Sequence, residues 1–294
     1  MPQPKVTGNF LLVVYQNNDQ RDIVLSRRFM VFDNRVRLES DVALSSGVIT
    51  RDLNHQINFT LNYSGLTVPN PRNNFLVVIR QNQRWDNAII GLKPTFIHQS
   101  DNRMEYQHFD LQNNFQAGNE FRFIDLRQYS FRGQNVAYIN KQVTPIQVHA
   151  VSDKSRARQV YAEFRDLNGN YFIQTREPGA GYLEADYMSV TFKLLSNEEM
   201  PEPVYLIGEF NGWNKSSNSK MTYNPAVKQY SIDVLLKQGF YNYMYETGSG
   251  SKAANPIEGS FYQTENQYEI LVYYRPMGEF VDRLVGYASF RSEL

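Results

Sequence analysis

The chain contains no cysteine, which excludes disulfides, thiol catalysis and cysteine-ligated metals. It carries no excess of charge, with 30 Lys+Arg against 30 Asp+Glu. That balance removes the basic footprint of a nucleic-acid binder. No Lys/Arg cluster stands out for an anionic membrane, and no apolar run approaches the length of a bilayer span. Residues 1–5, Met-Pro-Gln-Pro-Lys, lack the apolar core of a secretory signal. This start is expected either of a cytoplasmic protein or of one whose leader is missing. Histidine is scarce: His55, His98, His108 and His149 are the four. None lies at ligand spacing from another, so neither a metal nor any other cofactor is expected.

What the chain has instead is Tyr (20) and Phe (19), side chains that suit a pleated, half-buried surface. They sit in short alternating runs: Ile57, Phe59, Leu61, Tyr63; Met188, Val190, Phe192, Leu194; Tyr230, Ile232, Val234, Leu236; Tyr241, Tyr243, Tyr245. Alternation with period two buries one face of a strand and wets the other, as in antiparallel sandwiches. No long window has helical spacing. The expected fold is all-β, with tandem immunoglobulin-like β-sandwiches.

Turn chemistry divides the chain into three expected parts. Residues 9–15 and 23–32 form a hairpin that is apolar on both faces and therefore wants cover on both. Residues 1–33 thus read as the terminal strands of a truncated first sandwich. Strands at 55–63, 74–80, 119–125 and 143–150 define a second body over 34–152. Ser152-Asp153-Lys154-Ser155 is polar and short, and is the expected linker to a third body over 153–294. There, strands at 158–165 and 170–174 are expected to form a hairpin across Asp166-Leu167-Asn168-Gly169, because Asn-Gly favours a tight two-residue turn.

Chemistry-bearing patterns are sparse. There is no nucleophile elbow. Glu120 and Asp125 are the best acidic pair for hydrolysis, and a structural ion pair accounts for them more simply. Gly248-Ser249-Gly250-Ser251-Lys252 imitates a phosphate loop but no helix follows it. Trp85 in Arg84-Trp85-Asp86-Asn87 is expected to anchor a core rather than form a platform. No catalytic residue is expected, and the protein is read as a non-enzyme.

The most distinctive stretch is Leu206-Ile-Gly-Glu-Phe-Asn-Gly-Trp-Asn214, with Gly239-Phe-Tyr-Asn-Tyr-Met-Tyr245. It resembles the glycogen-binding type of early-set sandwich. The resemblance implies that Trp213 stacks on a glucan beside Asn214. The chain departs from that pattern at Met244, where the family carries a basic residue, and no second Trp follows in 246–275.

Over nearly the whole chain a second resemblance holds. Leu25-Ser-Arg-Arg-Phe-Met-Val31, Arg84-Trp-Asp-Asn87, Gly91-Leu-Lys-Pro94, Gly118-Asn-Glu-Phe-Arg-Phe123, Asn255-Pro-Ile-Glu-Gly259, Val272-Tyr-Tyr-Arg-Pro276 and Asp282-Arg-Leu-Val-Gly286 occur in that order. They resemble the type IX secretion system plug protein family of Bacteroidetes-type bacteria. That family implies a periplasmic, outer-membrane-associated protein that occludes the outer-membrane translocon barrel by protein–protein contact. Trp213, Tyr262 and Phe290 are the expected interface anchors, since aromatic residues dominate such energetics. A weak carbohydrate ligand, as in a module of a polysaccharide-utilisation protein, is the alternative partner. A dimer through the open edges of the N-terminal hairpin is a further expectation.

Overall fold

In the computed structural model, which describes residues 4–179, 181, 183–248 and 255–292, the chain forms two compact units. The first comprises Met1–Arg51, His55–Phe115 and Asn266–Leu294, and the second Asp52–Asn54 and Gln116–Glu265.

The first unit contains β1 (Gly8–Tyr15), β2 (Ile23–Val31), β3 (Arg37–Leu44), β4 (Asn54–Asn62), the one-turn helix α1 (Pro71–Asn74), β5 (Phe75–Gln81), β6 (Ile89–Ile90), β7 (Phe96–His98), β8 (Arg103–Tyr106) and β9 (Asn114–Gln116). The second contains β10 (Arg122–Asp125), β11 (Val136–Asn140), β12 (Ile146–Ala150), β13 (Tyr171–Ile173), β14 (Tyr187–Leu195), β15 (Val204–Ile207), β16 (Thr222–Asn224), β17 (Gln229–Lys237) and β18 (Gly239–Thr247). The chain then re-enters the first unit as β19 (Gln267–Tyr274) and β20 (Arg283–Arg291).

Each unit packs one sheet on another, as the alternation predicts. In the first, the sheet β3-β4-β8-β7, with β9 on β4, faces the sheet β20-β19-β5-β6. Ile57, Phe59 and Leu61 of β4 and Met104 and Tyr106 of β8 meet Phe75, Val77 and Ile79 of β5 and Ile270 and Val272 of β19. Strand β19 is buried on both faces. Its other face, Leu271 and Tyr273, packs with Val78, Leu284 and Met30 of β2. The base of the β1–β2 hairpin docks there, where the Tyr273 hydroxyl donates to Asn9 Oδ1 at 2.9 Å.

In the second unit β11-β12-β14-β17-β16 faces β10-β18-β13, with β15 beside β18. The core joins Met188, Val190, Phe192 and Leu194 of β14 to Tyr241, Tyr243 and Tyr245 of β18. Removing such side chains from water contributes about 1.5–3 kcal/mol each.

Three sequence expectations meet a different structure. The compact units do not follow 1–33, 34–152 and 153–294: residues 116–152 share a core with the residues after 153, and 266–294 pair with β5 instead. The expected linker is internal, because Asp153 bridges to Leu194 and is the acceptor of a buried network described below. The hairpin over 158–174 does not form. Residues 158–165 make no strand, and β13 pairs with β18, Tyr171 opposite Tyr241. The turn itself persists, with Asn170 N–H donating to Leu167 C=O at 3.1 Å. Long-range pairing satisfies the β13 backbone, leaving the 158–165 side chains to dock individually.

Candidate functional site

The second unit concentrates buried polar chemistry around β10. Strand β10 and the residues before it alternate, so Glu120, Arg122 and Ile124 turn inward. Two residues apart, Glu120 and Arg122 enter opposite surroundings.

Arg122 is fully compensated. Its Nε donates to Glu258 Oε1 at 2.9 Å, Nη1 to Asp153 Oδ1 at 2.7 Å and Nη2 to the Lys154 carbonyl at 2.7 Å. Arg156 adds a second cation to Glu258 at 2.8 Å. The Tyr243 and Tyr245 hydroxyls both donate to Asp153 Oδ2, at 2.9 and 2.8 Å. Burial alone would raise Glu258, but the guanidinium groups of Arg122 and Arg156 outweigh it and hold the carboxyl below its ordinary value. Such an arrangement orients strands. Each Arg122 nitrogen and both Asp153 carboxylate oxygens take part in it.

Glu120 lies in the contrasting environment. Its Oε1 accepts the Tyr161 hydroxyl at 2.5 Å and the Glu265 N–H at 3.3 Å. Asp166 in turn accepts the Phe121 N–H at 2.5 Å and the Asn168 N–H at 2.6 Å. Asn168 Nδ2 reaches Glu265 Oε2 at 3.2 Å. Three carboxyl groups therefore converge. Burial and the nearby Glu120 and Glu265 push Asp166 up to about 7, and burial also raises Glu120.

The sugar-site expectation meets an interior residue. Trp213 is only 5% exposed, packed edge-on against Phe121 with its indole N–H donated to Glu209 Oε2 at 3.0 Å. Gly169 lies on its ring: a Cβ there would sit 2.2 Å from Trp213 Cη2, and the φ of +80° favours glycine as well. The buried ring presents no face on which a pyranose could stack. Asn214 is exposed, and its carbonyl accepts the Ser219 hydroxyl at 2.6 Å. Phe290 packs partly buried against the first unit's core beside Tyr268. Tyr262 is half-buried on an open groove of roughly 630 Å³ with Leu53, Arg158, Pro256 and Phe261. These expected anchors thus do not form one cluster.

Trp85 departs from its expected core position. It is 39% exposed and carries the Arg80 guanidinium 4.6 Å over its ring, while Arg80 pairs with buried Glu269 at 2.7 Å. Strands β7 and β8 pair across a turn at 99–102, where His98 faces Glu105 at 3.0 Å, and His108 Nε2 contacts the Lys93 carbonyl at 2.9 Å. Asp125 pairs with Arg127 at 2.5 Å rather than with Glu120. Of the phosphate-loop mimic, Ser249 to Lys252 lie outside the described residues. Among the described residues no group of three or more His, Cys, Asp or Glu is arranged to hold a metal ion. Among the described residues no helix is long and apolar enough to cross a membrane.

The most apolar exposed surface is the β1–β2 ribbon. Leu11, Leu12, Val14, Ile23, Val24, Leu25 and Phe29 all face solvent, Leu11 and Val24 at nearly 60%. Contiguous patches of this kind mark interaction surfaces. The hairpin expectation located it in the sequence. The buried acids of the second unit escaped that reading, although Gly118–Phe123 and Asn255–Gly259 were singled out and carry Glu120, Arg122 and Glu258.

Comparison with known proteins agrees with this surface. Residues 1–33, the ribbon and its flanks, match the type 9 secretion system plug protein 1st domain. A hypothetical protein from Parabacteroides merdae ATCC 43184, whose crystal structure was determined at 2.30 Å resolution, is 33% identical. The similarity covers 98% of this chain and 72% of that one, with a TM-score of 0.88. No curated protein matches the chain.

Proposed function

Because the chain belongs to the type 9 secretion system plug protein family, we propose that it is a non-catalytic plug, periplasmic and associated with the outer membrane, that closes the mouth of the system's outer-membrane translocon barrel. The family points to type IX secretion and to the cell envelope. The observation that carries the finer reading is the family match at the β1–β2 ribbon and its flanks, residues 1–33. A plug needs a stiff cross-section and an adhesive surface. Two sandwich bodies supply the first, and the ribbon supplies the second. The Tyr262 groove is a second proposed contact. The carbohydrate alternative loses its stacking ring to the burial of Trp213.

The test is affinity capture of the tagged chain from the envelope of its host, with bound outer-membrane proteins identified. The expected result is the translocon barrel, and a deletion strain whose idle pore leaks a small periplasmic marker. If the barrel is absent from the capture and the deletion strain retains the marker as well as the parent does, the plug reading fails.

A further inference from the structure

Residues 158–165 read as a strand in the sequence, and the structure leaves that strand without a partner. From 160 to 167 the chain runs with neither turn nor bend. Hydrogen-bonded residues bound it on both sides. The Gln159 N–H donates to the Arg156 carbonyl at 2.9 Å, and the Leu167 N–H to Asn242 Oδ1 at 2.6 Å. Between them, among the described residues, no backbone N–H or carbonyl of 160–166 is hydrogen-bonded.

Side chains hold the segment instead. The Tyr161 hydroxyl contacts Glu120 Oε1 at 2.5 Å and the Gln263 carbonyl at 3.2 Å. Phe164 lies against Phe123, and Asp166 Oδ2 accepts the Phe121 N–H. The segment is thus fixed to its own unit while its main chain stays open. Unpaired backbone groups take their partners from water or from another chain. Edges of this kind are usually blunted by Pro or Lys, and Val-Tyr-Ala-Glu-Phe-Arg-Asp contains neither.

The charges on the segment select its occupant. Phe164 and Asp166 turn towards their own unit, whereas Glu163 and Arg165 are exposed, as strand alternation requires. An antiparallel partner has to set a base opposite Glu163 and an acid opposite Arg165. Read from its own N-terminus, that partner is acid, any residue, base, which is the pattern of Glu163-Phe164-Arg165 itself. The segment is therefore complementary to a second copy of itself.

We propose that residues 162–166 pair antiparallel with the same residues of a second copy, about a two-fold axis at Phe164. Glu163 then faces Arg165 of the second copy, and Arg165 faces its Glu163. Sliding the pair by two residues sets Glu163 against Glu163 or Arg165 against Arg165. Sliding it by one turns the charged side chains to the wrong face. A parallel pair in register opposes like charges at both positions. The contact is far shorter than a standard interface, so it makes a weak, concentration-dependent dimer.

The test uses the purified full chain, so its outcome is independent of the plug reading. Sedimentation velocity over rising protein concentration is expected to show a monomer–dimer equilibrium. Glu163→Arg puts like charges together in both halves of the symmetric pair and should weaken association about tenfold. Arg165→Glu should do the same, and the two substitutions combined should restore the dimer. Both side chains are exposed, so folding is expected to be unaffected. Register is read by disulfide trapping, which a cysteine-free chain permits. A mixture of Glu163→Cys and Arg165→Cys proteins should cross-link faster than either alone. Charge reversals that leave association unchanged, or a mixture that cross-links no faster than its components, overturn the proposal. A chain that stays monomeric also overturns it, and the strand that 160–166 accepts then belongs to another protein.

Discussion

Arg122 opens β10 and Glu120 lies two residues before it, yet the fold surrounds their charges differently. Around Arg122 every buried carboxylate has a cation: Asp153 has Arg122, and Glu258 has both Arg122 and Arg156. Glu120 accepts the Tyr161 hydroxyl and the Glu265 N–H, and Asp166 accepts the Phe121 and Asn168 N–H groups. The difference teaches how a β-sandwich divides labour. A compensated network is fixed at every ordinary pH and specifies which strands meet. Burial raises Glu120 and Asp166, whereas beside Glu258 the two guanidinium groups outweigh it.

The comparison can be broken most severely at Arg122. Arg122→Met leaves Asp153 and Glu258 buried with one cation removed, and should cost about 3–5 kcal/mol, the loss typical of a broken buried pair. Chemical denaturation followed by far-UV circular dichroism measures it. A loss below about 1 kcal/mol would mean that the two acids find water or protonate readily, and the contrast would vanish.

Next in size is the pH dependence of the second unit. Asp166 has a folded value raised above its unfolded one, so its contribution is fully present below about pH 4 and is lost as pH rises towards about 7. A rise of that size corresponds to an upper figure on the order of 4 kcal/mol. Glu258, lowered in the fold, has the opposite sign and supports the second unit above its unfolded value. Melting between pH 4.5 and 8.5 should show the second unit losing stability through this window, with the loss reduced in Asp166→Asn. A second unit that gained stability over that range would reverse the assignment.

The smallest effect on stability is expected at the ribbon. Leu12 is exposed on β1, away from both charge clusters. Leu12→Ser should change stability by less than about 0.5 kcal/mol, yet weaken capture of the barrel. A large loss of stability would show that the side chain packs within its own unit, and undiminished capture would move the contact elsewhere, the Tyr262 groove first.

Much of the architecture was legible beforehand because sandwich strands advertise themselves with period two. The inward sets of β4, β14 and β18 were read residue by residue, and the structure buries them. Failures occurred where a local signal competed with a distant partner. Asn168-Gly169 makes its turn, but β18 takes β13, so no hairpin results. Trp213 follows a turn that presents a ring in isolation. Here Phe121, nearly a hundred residues earlier, and Gly169 close over it. The polar stretch at Asp153 resembles a linker only while Arg122, Tyr243 and Tyr245 are out of view.

The alternating aromatic and branched side chains, the absence of cysteine and the even charge are properties of neighbouring residues. They determine that this is a strand-built body without thiol chemistry, because side-chain direction along a strand is set locally. Which strands share a core, the return of β19 to β5, and whether a buried acid meets a guanidinium or another acid depend on residues from about thirty to nearly two hundred positions apart. Those outcomes are decided by packing in three dimensions, since a buried charge is stabilised only by what touches it and not by what precedes it in the chain.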